Sequence, residues 1–169
     1  MVEALGKKVA ATIRGQADKL VAKEVKMEDR LAALNKVLGN AKRPVVLIRI
    51  EERHIGQATI DPAAETELIL FCREAGFEVV DPKTGSSKQA DLRIEGAGFS
   101  EFATRRGDLV SVKARLEVKV VDPSTDKIVA VDRQTALEVD LSEQVAGKKA
   151  LEKAAAAIAE RLLPKLIKK

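Results

Sequence analysis

The chain has 169 residues, of which 46% are hydrophobic and only 2% aromatic, and its 30 basic and 26 acidic residues give a net charge of +4. This length suits one domain with an aliphatic core, and interspersed charge with so few stacking rings argues against nucleic-acid binding. No apolar run approaches the roughly 20 residues that span a bilayer, and one cysteine, Cys72, excludes an intramolecular disulfide.

The N-terminal segment has an apolar repeat that predicts one long helix over residues 2–39. Two interpretations stay open: this helix packs along its own domain, or residues 1–41 form an oligomerising coiled coil. In the second case the contacts are the heptad positions Ile13, Leu20, Met27, Leu31 and Leu34. The segment lacks the uninterrupted apolar run of a signal peptide. We therefore expect a cytoplasmic protein, or one from which a leader has been removed.

Residues 45–80 predict a β-α-β unit. The run VVLIRI at 45–50 is typical of a strand buried on both faces, and a polar loop is expected over residues 51–61. Asp61 and Pro62 suit the start of the following helix, which Gly76 ends. A second strand is expected over residues 77–80.

The second half of the chain predicts three further strands. Residues 92–102 form the first, in which Gly96 and Gly98 indicate a bulge or a close backbone approach. Residues 109–121 alternate strictly between apolar and polar, as in a strand with one buried and one wet face. Residues 127–138 form its antiparallel partner, where Arg133 and Thr135 interrupt the alternation and indicate a bulge or an edge position.

An alanine-rich helix closes the chain. Asp140 and Glu143 have the spacing of a capping box, and Pro164 is expected to bend or end this helix near residue 163. Together the elements predict an α/β (α+β) fold, a mixed β-sheet with helices packed on one face, in the order α-β-α-β-β-β-β-α. The sheet domain is expected to cover residues 42–169.

His54, the only histidine, is the main candidate for a small-ligand site. It follows a predicted strand beside Glu51, Glu52 and Arg53, where α/β folds often carry ligand sites. One interpretation is a solvated loop residue. The other is a ligand site or an enzyme active site, and it predicts a pocket that holds His54 and at least two of Glu51, Glu52, Arg53 and Asp61.

No spacing typical of a metal site or of a catalytic constellation occurs in the sequence. We therefore predict no catalytic residues, no metal, no cofactor and no enzymatic activity. The lone Cys72 lies on an apolar helix face, which favours a buried, unreactive thiol.

Lys113, Arg115 and Lys119 lie on the polar face of the strand at 109–121. This face is either an ordinary solvated surface or a docking surface for an acidic partner or a neighbouring subunit.

Three stretches resemble a known family: RPVVLIRIEERHIG, DPAAETELILFCREAGFEVVD and QADLRIEGAGFSE. They are similar to the TolB-N-like fold of the curli-secretion lipoprotein family, and more so to the middle domain of flagellar assembly protein T. Val121, Asp122 and Thr125 match the family's hairpin, and about residues 43–167 are covered.

The resemblance implies a bacterial envelope protein, lipoprotein-like or periplasmic, that serves a secretion or surface-appendage machine such as a flagellum. It implies a non-enzymatic assembly domain that binds a protein partner. No lipobox cysteine is present, and Asp126 stands where the family often has glycine. The alternative remains a small-ligand-binding protein or enzyme with its site in residues 51–61.

Overall fold

The computed structural model describes residues 25–59 and 61–167. The chain divides into two compact units, residues 1–30 and 31–169. Helix α1 covers Met27–Leu38, and the two residues before it are not helical. The prediction of one continuous helix over residues 2–39 is therefore wrong at Val25 and Lys26, and the part before them lies outside the described residues. Val25 is exposed, so this point of the repeat has no buried contact to sustain a helix.

A mixed six-stranded sheet forms the body of the second unit, which confirms the predicted fold class. Its strands are β1 (Val46–His54), β2 (Gln57–Ala58), β3 (Val79–Val80), β4 (Leu92–Arg106), β5 (Leu109–Asp122) and β6 (Lys127–Asp140). The order is β2-β1-β4-β5-β6, with β3 beside the start of β1. β1 runs parallel to β3 and β4, whereas the other neighbours are antiparallel.

Strict alternation explains why the sheet has two different faces. In β5, Val112, Ala114 and Leu116 are buried, while Lys113 and Arg115 between them are exposed. Helices α2 (Ala63–Glu74) and α3 (Glu143–Leu166) pack on the side of the buried residues. We call the opposite side, with its exposed charged side chains, the open face.

Helix α3 lies close to the sheet because its inner residues are small. Ala150, Ala154, Ala155 and Ala159 are fully buried, and an alanine methyl lets backbone and sheet approach more closely than a larger side chain does. Leu162 and Leu163 fill the remaining volume near the end of the helix.

The structure decides between the two alternatives for Gly96 and corrects the expectation for Pro164. The irregularity in β4 lies between Phe102 and Thr104, not at the glycines. A Cβ on Gly96 would lie 2.4 Å from the Glu117 carbonyl oxygen, so this glycine serves a close backbone approach. Pro164 does not end α3 at residue 163, because the helix continues to Leu166.

The expected helix caps are also corrected. Ser142, not Asp140, precedes the first residue of α3, and its side chain makes no capping hydrogen bond. Asp140 instead accepts a hydrogen bond from the Leu141 amide at 2.7 Å and pairs with Lys149. Asp61 does not cap α2 either. The carboxylate of Glu52, on strand β1, accepts the first N–H groups of this helix instead.

Candidate functional site

A pocket lies beneath α3 where the parallel pairing of β1 with β4 ends, at His54 and Ser100. Its volume is about 320 Å³, and its lining combines polar side-chain groups with apolar surface: Glu52, His54, Gln57, Ala58, Thr59, Asp61, Ser100, Gln144, Lys148 and Leu151. Ligand sites commonly occur at the carboxyl ends of parallel strands. The pocket contains His54 with Glu52 and Asp61, so the geometric condition of the small-ligand alternative is confirmed.

Glu52 forms the floor of this pocket and holds the start of α2. It is only 5% exposed, and its two carboxylate oxygens accept the backbone N–H groups of Ala63 and Glu65 at 2.8 and 2.9 Å. Burial raises the pKa of Glu52, and these backbone hydrogen bonds oppose that effect. A carboxylate is well placed here because the first N–H groups of a helix have no partner within the helix.

His54 and Ser100 form a hydrogen-bonded pair across β1 and β4. His54 Nδ1 lies 2.7 Å from Ser100 Oγ, and Ser100 is only 3% exposed. A Cβ on Gly147 would lie 3.0 Å from His54 Nδ1 and 3.1 Å from Ser100 Oγ. Gly147 therefore lets the first turns of α3 close over this pair.

Glu143 is an acidic residue close to this pair. Its Oε1 lies 3.9 Å from His54 Nε2, which is too far for a hydrogen bond, and that oxygen is buried without a hydrogen-bond partner. Serine, histidine and glutamate therefore lie together. A hydrolytic triad needs both the serine and the carboxylate within hydrogen-bond reach of the imidazole, and this arrangement does not provide that.

The remaining polar groups make the pocket suitable for a neutral polar ligand. Lys148 pairs with Asp61 at the rim, so their charges compensate. Thr59 Oγ1 is buried without a hydrogen-bond partner. Among the residues that the structure describes, no group of three or more His, Cys, Asp or Glu side chains could hold a metal ion.

The other residues proposed from sequence lie on the open face. β1 runs to His54 instead of ending at residue 50, so successive side chains alternate between the faces of the sheet. Glu51 and Arg53 therefore lie opposite Glu52 and His54. This corrects the expectation of one loop site that holds His54, Glu51 and Arg53 together.

Cross-strand register arranges the open face in rows. One row joins Arg53, Phe99, Arg115 and Thr135. The neighbouring row on β4, β5 and β6 joins Glu101, Lys113 and Leu137. Two rows away on the other side, Glu95 and Lys119 pair at 3.4 Å. Five of the six sequence-predicted binding residues, Glu51, Arg53, Lys113, Arg115 and Lys119, thus share one surface, which His54 does not join.

Sequence reasoning missed most of the pocket wall, including Ser100, Gln144 and Lys148. These residues come from β4 and α3, far from His54 along the chain. One local signal was present: Ile50, Glu52 and His54 continue the alternation of β1 and point to one face.

The proposed oligomerisation residues receive little support from the structure. Ile13 and Leu20 lie outside the described residues. Met27 and Leu31 are partly exposed. Leu34 is buried within the single chain, so it has no surface left for another subunit.

Two further expectations, on the cysteine and on membrane-spanning segments, can be compared with the structure. Cys72 is fully buried, and burial raises the pKa of its thiol to about 12, which confirms the expectation of an unreactive cysteine. Within residues 25–59 and 61–167, none of the helices has the length and hydrophobicity needed to cross a bilayer.

No family model matches the sequence, and no curated protein matches it. Solved structures similar to this one include the PelC dodecamer of Paraburkholderia phytofirmans, 17% identical with a TM-score of 0.46 over 73% of this chain and 88% of that one. A minor lipoprotein from Acinetobacter baumannii is 14% identical, with a TM-score of 0.49 over 73% of this chain and 94% of its own. A lipoprotein from Neisseria meningitidis is 8% identical, with a TM-score of 0.44 over 70% and 96%.

Two of these three solved structures are of bacterial lipoproteins. The TolB-N-like assignment stays a prediction. With TM-scores below 0.5, these similarities say nothing about the function of this chain.

Proposed function

We propose that this chain is a non-enzymatic module of the bacterial cell envelope that binds a protein partner through its open face. One observation carries the proposal: Phe99 is 48% exposed and lies in one row between Arg53 and Arg115. An exposed aromatic ring between two guanidinium groups has the composition of an interface centre, where aromatic residues and arginine are enriched.

The neighbouring rows indicate what the partner presents. Leu137 and Val131 are 52% and 64% exposed on the same face, and Lys113 lies beside Leu137. The centre of the face thus offers apolar surface flanked by basic residues, of which Arg115 and Lys119 are also paired with Glu117 and Glu95 of the same face. A complementary partner has an apolar patch with acidic groups around it.

The envelope location rests on the sequence resemblance. We infer a TolB-N-like domain that serves assembly in a secretion or appendage system. Periplasmic location and the identity of the system are parts of this proposal.

A photo-crosslinking experiment tests the open face directly. Benzoylphenylalanine placed at Phe99 in the native bacterium is expected to crosslink one envelope protein, which mass spectrometry identifies. Arg115→Glu reverses a charge beside the probe and is expected to lower the crosslinked yield about tenfold, which corresponds to roughly 1.4 kcal/mol.

The matched control places the same probe at Leu70, an exposed apolar residue of α2 away from this face. It is expected to give no specific product. Equal products at Phe99 and Leu70, or a Phe99 product confined to cytosolic proteins in fractionated cells, would refute the proposal.

The pocket gives a second candidate function, the binding of a small neutral polar ligand. The specific observation is the buried Thr59 Oγ1, which has no hydrogen-bond partner and lines the same pocket as Ser100 and Gln144. A buried hydroxyl without a partner is costly, and a ligand donor or acceptor would satisfy it.

Saturation-transfer NMR with a panel of monosaccharides and amino acids as probes tests this candidate. A binder is expected among them, with affinity reduced about five- to a hundredfold by Thr59→Val. Thr135→Val, on the open face, serves as the matched control and is expected to bind normally. Equal binding by both variants would remove the pocket as the site.

A further inference from the structure

Strand β6 is a long edge strand of the sheet with exposed apolar residues. It has 14 residues and no proline, and within residues 25–59 and 61–167 it pairs with β5 alone. Its open-face residues Val131 and Leu137 are more than half exposed. Long apolar edge strands readily pair with further strands, and proteins usually block them.

The opposite edge of the sheet is blocked. β3 pairs with the start of β1 and β2 with its end. Between them, the Ile50 N–H donates to Glu65 Oε2 at 2.8 Å. An inward-pointing charge and short flanking strands are devices that prevent edge pairing. Among the described residues no short strand flanks the centre of β6, and its helix-facing carboxylates, Asp132 and Glu138, are each paired with a basic residue of α3.

Two backbone carbonyl groups in the middle of β6 accept hydrogen bonds from side chains. The Arg133 carbonyl accepts from Arg161 Nη2 at 3.3 Å, and the Thr135 carbonyl accepts from Gln134 Nε2 at 2.9 Å. A carbonyl oxygen has two lone pairs, so these contacts leave room for a strand partner.

Symmetry limits how a second copy can pair with this edge. Two copies of one strand pair side by side and antiparallel about a two-fold axis perpendicular to the sheet. This operation keeps both open faces on the same side. Residues that face each other therefore lie at equal distances from a central residue, which faces its own copy.

The sequence of β6 favours Gln134 as that centre. In this register Val131 faces Leu137 of the second copy, and Arg133 faces Thr135. A centre at Arg133 would oppose two guanidinium groups, and a centre at Thr135 would oppose Arg133 and Leu137. Apolar pairs directly across strands stabilise a sheet, and like charges destabilise it.

The helix-facing residues of β6 agree with the same register. Asp132 faces Ala136, and Ala130 faces Glu138, so no carboxylate opposes another. Asp132 pairs with Arg161 of its own chain at 2.9 Å, and Glu138 pairs with Lys153. The irregularity opposite Val120 and Val121 limits regular pairing to residues 130–138.

We propose that a second copy of this chain pairs with β6 about a two-fold axis at Gln134, which makes one continuous sheet across the dimer. The two open faces then lie side by side. This assembly goes beyond the proposed partner binding, because it uses backbone groups of β6 instead of the Phe99 row.

Engineered cysteines test both the pairing and its register, since the native Cys72 is buried and unreactive. Directly opposed residues of antiparallel strands have Cα atoms about 4.5–5.5 Å apart, a separation that a disulfide can bridge. Gln134→Cys is expected to give a disulfide dimer on mild oxidation of the full chain. An equal mixture of Val131→Cys and Leu137→Cys is expected to give the mixed dimer.

The matched controls are the single variants. Val131→Cys alone lies about 20 Å from its own copy in this register and is expected to stay uncrosslinked, as is Leu137→Cys alone. Arg133→Cys and Thr135→Cys report the two neighbouring registers. An efficient homodimer from either, in place of the Gln134→Cys product, would overturn the register.

Light scattering of the uncrosslinked chain completes the test. The wild type is expected to have twice the chain mass, and the double variant Val131→Lys, Leu137→Lys the single mass, because lysines would then face each other. Val37→Lys, an exposed position on α1, is expected to stay dimeric. A monomeric wild type that gives no crosslink would overturn the proposal, and so would a mass above two chains. The Phe99 crosslinking result is unaffected by these outcomes.

Discussion

Glu52 couples the pocket to the fold through a single carboxylate. It lies on β1, lines the pocket and accepts the first N–H groups of α2. Its burial raises its pKa, so the folded chain holds a proton on this group more tightly than the unfolded chain does. Stability contributed by such a group is lost as the pH rises from the ordinary carboxylate value through the raised one.

Glu52→Gln is expected to remove this pH dependence. The free energy of unfolding, measured by urea denaturation at several pH values, should fall more in the wild type than in the variant as the pH rises above about 4.5. Glu117→Gln, at an exposed ion pair on the open face, is the matched control and should follow the wild type. A constant difference between wild type and Glu52→Gln across this range would contradict the pKa direction.

Strand β1 shows which elements could be predicted from sequence and which could not. The alternation at residues 109–121 predicted β5 almost to its ends, because one face of that strand packs in the core. In β1 the apolar run stops at Ile50, yet the strand continues to His54. Glu52 and His54 are polar because they face the pocket and the start of α2, a tertiary environment that no local pattern encodes, whereas Glu51 and Arg53 lie on the open face.

Helix α3 departs from its prediction for a similar reason. Pro164 lacks an N–H and costs a helix interior about 3 kcal/mol relative to alanine. The helix nevertheless continues to Leu166, where Leu162, Leu163 and Leu166 are buried. Burial of a leucine side chain contributes about 1.5–3 kcal/mol, so the final turn is stable despite the proline.

Pro164→Ala is therefore expected to raise the free energy of unfolding by about 1–3 kcal/mol, measured by urea denaturation. The gain arises because alanine restores a backbone hydrogen bond within a turn that is already helical. Lys165→Ala, one residue further, is the matched control and should change stability by less than about 0.5 kcal/mol. A loss of stability in Pro164→Ala would indicate that the helix ends before this residue.

For the whole molecule, the pattern of apolar residues was sufficient for the fold class but not for the site. The order of elements and the wet face of β5 followed from periodicity. The separation of His54 from Glu51 and Arg53 did not, because it depends on where β1 ends. The pairing of His54 with Ser100 depends on two strands brought together by a crossover, which sequence spacing does not specify.

The blocked edge of the sheet at β1 limits the number of chains that can associate. A protein whose sheet has two edges open to strand pairing can add subunits without limit and form a fibre. Here the Glu65 carboxylate and two short strands occupy one border of the sheet in the described part of the chain. In the proposed dimer the edge at β6 is occupied by the second copy. Association through the sheet therefore stops at two chains.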